Sequence, residues 1–245
     1  MSSETAERTA GHHVCGHHSG LDCQHCQARH LSVCNALEPE DFDDLNRFGR
    51  TLNYAPKSTL FEQDEAADNV LNLTEGAVRL YKLLPDGRRQ VVGFALPGDF
   101  LGLAMSARNV FSADALTHVS VCQFSRTGFS DLLDRKPKLL RRLHDIASHE
   151  LSLAQDQMVI LGRRTAEEKI AAFLIGMRSR WAKVNGASVH VPLPMTRQDI
   201  GDFLGLTVET VSRMLTRFAR EKAIVIVPDG VRLLDVDRME RLAAS

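Results

Sequence analysis

The sequence predicts an α+β chain in three parts: an N-terminal β-roll, a long dimerisation helix and a C-terminal winged helix-turn-helix. Three observations carry this. Between Leu52 and Phe124, short apolar stretches alternate with turn signals at spacings near ten residues, the pattern of a small barrel or roll. Pro137 opens a long run whose apolar residues recur at helical steps. After Thr196 come a short helix, Gly205, a second helix and a hairpin signal at Pro228-Asp229-Gly230, which is the winged helix-turn-helix order.

Length and composition set the bounds. The 245 residues hold two modest domains, and 44% hydrophobic with 25% charged residues is ordinary for a globular chain. No apolar run nears the roughly 20 residues that span a bilayer. The N-terminus has no apolar signal core, and five cysteines, an odd number, fit a reducing cytoplasm. A membrane partner is therefore not expected, and the chain is expected to be cytoplasmic. The net charge of −1 hides an asymmetry: from Arg163 onward 14 Lys/Arg meet 10 Asp/Glu, against 16 and 21 before it. Nucleic acid is a partner for the C-terminal part alone.

Residues 1–22 read as a flexible tail, polar and carrying His12, His13, His17, His18 and a spare Cys15. Residues 23–36 form a candidate cofactor-binding segment, CQHCQARHLSVC from Cys23 to Cys34. The roll domain follows over 37–136, with a short helix from Pro39 to Phe48. Asp86-Gly87 sets a hairpin between AVRLYKLL and RRQVVGFAL. In the helix over 137–163, Leu140, His144, Ala147, Leu151, Ala154, Met158 and Leu161 follow alternating steps of four and three, as a coiled-coil seam does. Leu143, Ile146, Leu153 and Ile160 make a second stripe. One stripe suits the chain's own roll and the other a second subunit, giving a homodimer; the competing reading buries the whole helix within one monomer.

The last part, 164–245, opens with a helix from Arg164 to Trp181, followed by a short strand at Val189 and Val191. Thr196 caps a helix reaching Phe203, with Asp199 completing a capping box. Gly205 breaks it, and Thr207 caps a helix running to about Lys222. Ile224–Val227 and Val231–Leu234 form the wing. Within the second helix Val208, Val211, Leu215 and Phe218 make a buried stripe. Glu209, Ser212 and Arg213 share an outward patch whose chemistry suits base edges, whereas Arg217 and Arg220 suit phosphates. Thr196, Gln198 and Thr207, at the helix starts, complete the candidate DNA-binding set.

The cysteines are the other chemical signal. Three thiols this close, in a chain without a secretory signal, point to a metal rather than to disulfides. Cys23, Cys26 and Cys34 with His25 or His30 suit zinc, which leaves Cys122 as a packed thiol. All four thiols together suit an iron–sulfur cluster. The residues alone leave both open. An enzyme of the cupin type needs several histidines converging inside the roll, and between Leu52 and Phe124 only His118 is present.

TVETVSRMLTRF, preceded by MTRQDIGDFLG, resembles the helix-turn-helix of the CRP–FNR transcription factors, specifically the FNR branch. AEEKIAAFL at 166–174 and LPGDFLGL at 96–103 are similar to further segments of that family, and the likeness extends from Cys23 onward. The resemblance implies that the roll is a cyclic-nucleotide-binding-like double-stranded β-helix. It also implies that Glu209, Ser212 and Arg213 face bases in double-stranded promoter DNA with palindromic TTGAT half-sites. Cys23, Cys26, Cys34 and Cys122 match the four ligands of a 4Fe-4S cluster, although seven residues separate the second and third where enteric members have five. On this resemblance oxygen converts the cluster toward 2Fe-2S and dissolves the DNA-binding dimer. The same resemblance implies that the hairpin around Pro85–Gly87 takes part in recruiting RNA polymerase for anaerobic or microaerobic gene control. The alternative is a clusterless or zinc-stabilised regulator of the same family, controlled by its expression or by thiol oxidation. Cyclic nucleotide is not expected: Gly102 is followed by Leu103 where a glutamate is needed, and FSADALTHVS lacks the phosphate-binding arginine.

Overall fold

A computed structural model describes residues 23–102 and 107–244. The tail with Cys15 and its histidines, and Leu103, lie outside the described residues. The chain enters through a 3-10 turn at Val33–Ala36 that holds Cys34, capped by the Ser32 hydroxyl, which accepts from the Cys34 amide at 3.2 Å. The expected helix after Pro39 is split in two. Pro39–Asp41 is a 3-10 turn, and α1 covers Phe42–Phe48.

Eight strands then build the roll: β1 (Gly49–Tyr54), β2 (Thr59–Phe61), β3 (Asn69–Glu75), β4 (Val78–Leu83), β5 (Arg89–Ala95), β6 (Phe100–Leu101), β7 (Ser112–Ala115) and β8 (Val119–Ser125). They form two antiparallel four-stranded sheets, ordered β1-β8-β3-β6 and β2-β7-β4-β5. Leu52, Leu73, Val78, Ala113, Val119 and Val121 fill the space between the sheets. Alternation along β8 sends Val119 and Val121 inward and Cys122 and Phe124 outward. That outer face is covered by Val33, Leu37 and Leu45 from the N-terminal segment and by Phe129 and Leu132. The last two belong to α2 (Arg126–Arg135), a helix the sequence reading missed.

The long helix α3 runs over Pro137–Arg163, 27 residues with proline in its first turn. Leu139, Leu143 and Ile146 pack on the core around Cys34. Near the other end Ile160 meets the C-terminal core. Leu139 is its one fully buried residue, so a helix sunk within a single subunit is not what the fold contains.

The C-terminal part comprises α4 (Ala166–Asn185), β9 (His190–Pro192), α5 (Arg197–Leu204), α6 (Val208–Arg220), β10 (Ile224–Val227), β11 (Gly230–Leu233) and α7 (Val236–Ala244). Helix α4 starts at Ala166 rather than Arg164 and continues past Trp181 to Asn185; Thr165 caps it, with Glu168 returning the capping-box bond. The wing is a three-stranded sheet, β10-β11-β9, because Val191 pairs with Val231. Gly205 ends α5 in the left-handed region at φ 64°, and a Cβ on Gly201 would stand 2.6 Å from the Leu206 carbonyl. Only glycine at these two places lets the turn between α5 and α6 close so tightly. Phe94 of the roll meets Phe173 and Phe203 with centroids 6.0 and 5.4 Å apart, so one apolar core joins the two parts.

Candidate nucleic-acid interface and cysteine group

Thr207 opens α6: its hydroxyl accepts from the Thr210 amide at 3.2 Å. Burial of Val211, Leu215 and Phe218 fixes the rotation of the helix and turns Thr207, Glu209, Arg213 and Arg220 to solvent, with Ser212 half-buried and Val208 also only half-buried. Arg197, in the first turn of α5, donates to Ser212 Oγ at 3.2 Å and joins this patch. The sequence reading left Arg197 out, although a cation beside the cap Thr196 was its available signal. Arg217 departs from the expected phosphate role. It pairs with Glu221 at 2.8 Å and Glu167 at 3.0 Å, so its charge is engaged within its own domain.

The start of α5 is built from carboxylates. Thr196 and Asp199 form the capping box, with the Thr196 amide donating to Asp199 Oδ2 at 2.9 Å and its hydroxyl at 2.7 Å. Asp199 Oδ1 accepts from Arg79 at 2.6 Å and Arg89 at 2.7 Å, both from the roll. Burial works against the Asp199 charge, yet the Thr196 donors and Arg79 hold its carboxyl below the ordinary range. Exposed Gln198 donates to Asp202 Oδ1 at 2.6 Å. Buried Lys169 of α4 donates to the carbonyls of Leu161 and Leu204, tying the ends of α3 and α5 together.

All four candidate ligand cysteines carry free thiols. Cys122 lies within electrostatic reach of Cys23, Cys26 and Cys34, and Cys34 within reach of Cys23 and Cys26. Burial, reinforced by those neighbours, pushes the Cys34 thiol up to about 12 and raises the Cys122 thiol as well. Arg29, inside the cysteine run, favours the thiolate at Cys34 and stacks over Phe42 at 4.6 Å. Four thiols match an iron–sulfur group in donor type. Among the described residues no three His, Cys, Asp or Glu are placed to hold a single metal ion. His25 and His30 are exposed.

On α3 the seven seam residues Leu140, His144, Ala147, Leu151, Ala154, Met158 and Leu161 are all exposed, Leu151 to 61% and Met158 to 70%. Of the second stripe, Leu143, Ile146 and Ile160 pack inward, whereas Leu153 stays 40% exposed. A cavity of about 960 Å³ separates α3 and α4 from the roll, and Arg126 and Arg142 line it. These two arginines lie outside the stretch searched for a phosphate ligand. Arg126 donates to the Ala67 and Gly102 carbonyls and Arg142 to Leu31. No described helix is long and apolar enough to cross a membrane.

Comparison with known proteins follows the same division of the chain. A model described as bacterial regulatory proteins, crp family, matches residues 193–224, and one described as a cyclic nucleotide-binding domain matches residues 51–136. The transcriptional activatory protein AadR of Rhodopseudomonas palustris is 56% identical over 227 residues, 92% of this chain and 95% of that protein. The nitrogen fixation regulation protein FixK of Bradyrhizobium diazoefficiens is 50% identical over 227 residues, 93% and 96% of the two. Among solved structures, FixK2 from Bradyrhizobium japonicum superposes with a TM-score of 0.75 at 35% identity, covering 80% of this chain and 98% of that one.

Proposed function

The chain belongs to the CRP–FNR family of transcriptional regulators, and on that premise we propose that it is a dimeric, oxygen-responsive activator governed by its four cysteines. The observation that carries the reading is the meeting of Cys23, Cys26, Cys34 and Cys122 on the face of the roll where α3 packs. On this reading these cysteines hold a 4Fe-4S cluster, whose bound form supplies an oxygen-labile link between the N-terminal segment and β8. The rest falls to side chains. Leu143 and Ile146 rest on the core around Cys34, so a change in that segment reaches α3 directly. The exposed stripe from Leu140 to Leu161 then meets its mate in a second subunit. In the dimer two copies of α6 present Glu209, Ser212 and Arg213 to half-sites of a palindrome about one DNA turn apart. Thr207 and Arg220 face the backbone, and the hairpin tip around Pro85–Gly87, flanked by exposed Leu83, meets RNA polymerase. Cyclic nucleotide has no part in this scheme.

Anaerobic purification tests it. The expected protein is brown, with about four iron per chain, and it binds a duplex with TTGAT half-sites until air is admitted. Serine at any of the four cysteines abolishes colour and binding, and Cys15→Ser leaves both unchanged. A colourless, iron-free protein that binds equally well in air overturns the cluster. A second reading, a clusterless regulator of the same family controlled by expression or thiol oxidation, is supported by free thiols that burial keeps protonated and by the absence, among the described residues, of three donors placed to hold an ion. Its expected outcome is a colourless, iron-free protein whose binding either ignores air or is restored by a thiol reductant after exposure to air.

A further inference from the structure

We propose that Arg79 and Arg89, on β4 and β5 of the roll, are positioning residues for DNA recognition, acting on Thr196 and Gln198 through Asp199 and Asp202. The inference rests on the DNA-reading role assigned above to the start of α5. Two parallel chains of hydrogen bonds cross from one part of the molecule to the other. In the first, Asp199 gives one oxygen to Arg79 and Arg89 and the other to Thr196. In the second, Asp202 gives Oδ2 to Arg89, at 3.0 Å from Nε and 2.7 Å from Nη2, and Oδ1 to Gln198. Each carboxylate therefore has one oxygen fixed by the roll and the other fixing a polar residue at the exposed start of α5.

The arginines are themselves held. Arg79 pairs with Asp114 of β7, whose other oxygen accepts from Thr59 at 2.9 Å, and both guanidiniums lie against the Tyr81 ring. Gln90, next along β5, donates to the Asp202 carbonyl. The outward patch of α6 stays exposed in this docked arrangement. The docking orders the Gln198 amide before DNA arrives, removing a cost that a free side chain would meet on binding. Asp199, with a side chain 1% exposed, depends most on its cations.

A double-mutant cycle decides the matter, with full-length protein and a fluorescent duplex carrying TTGAT half-sites. Arg89→Ala and Gln198→Ala are each expected to weaken binding about tenfold, or about 1.4 kcal/mol. If Arg89 acts through Gln198, the double variant binds no more than about twofold worse than either single one. A merely structural arginine predicts that the losses multiply to about a hundredfold, and that result overturns the proposal. So does an Arg89→Ala protein that binds as the wild type does. Should Arg89→Ala fail to fold by circular dichroism, Asp202→Asn replaces it in the same cycle, since it keeps the shape and removes the charge. Arg213→Ala separates the two levels. If it weakens binding while the cycle is additive, only the relay fails; if neither Arg213→Ala nor Gln198→Ala has any effect, the DNA-reading role fails too.

Discussion

Arg213 stands exposed on α6, six residues beyond the cap Thr207, with a long contact of 3.5 Å to Thr210 Oγ1. A guanidinium in that setting suits two parallel bonds to a guanine edge, and such a pair discriminates by roughly 1–3 kcal/mol. Arg213→Ala is therefore expected to weaken binding to the palindrome by about that amount and to leave scrambled duplexes little affected, as fluorescence anisotropy on both would read. Equal losses on the two would reassign Arg213 to the phosphates. Lys169 acts on stability instead. Its ammonium caps the carbonyls of Leu161 and Leu204 in a buried position, and Lys169→Met keeps the stem but leaves both acceptors without it. A buried acceptor left unmet costs roughly 1–3 kcal/mol. The expected result is a clearly lower melting temperature, and an unchanged melt would show that water replaces the ammonium.

Among the elements, α5 depends on its cap. The Asp199 carboxyl is held below its ordinary 3.8 in the folded chain, so the unfolded chain takes up the proton first. Its contribution to stability is complete above that value and is lost as the pH falls below it. Thermal melts are expected to be flat in this respect near about pH 5 and to decline below 3.8. Asp199→Asn should remove that part of the acid slope; an unaltered slope would locate it elsewhere. The caps at Thr196 and Thr207 and the break at Gly205 were legible because capping and turn chemistry are local. The place of Cys122 on the outer face of β8 follows from alternation about Val121, a step the sequence reading did not take. Helix α2 was not legible: RTGFSDLLDR starts with turn-forming residues, and its helix is held by Phe129 and Leu132 packing against Phe100 and Phe124. The network from Arg79 to Asp199 spans 120 residues of sequence, and no local pattern announces a contact of that kind.

For the molecule as a whole, the question is what covers α3. Its inner face is occupied by the core around Cys34 and by Ile160, whereas the stripe from Leu140 through Leu151 and Met158 lies open. Where two copies of α3 pair in parallel about a two-fold axis, each seam residue lies near its own symmetry mate. Ala154, between Leu151 and Met158, is small and exposed, so Ala154→Asp disturbs little within one subunit. Across a seam the same change brings two carboxylates together. At about 4 Å and an effective dielectric near 20, unit charges repel by roughly 4 kcal/mol. The variant is expected to sediment anaerobically as a monomer where the wild type is a dimer, with iron content and melting of the single subunit unchanged. Its DNA affinity should fall because one reading helix then contacts one half-site alone. If α3 met no second subunit, the same charge would point into water and alter none of these quantities, and a dimer population equal to that of the wild type would remove the seam from the scheme.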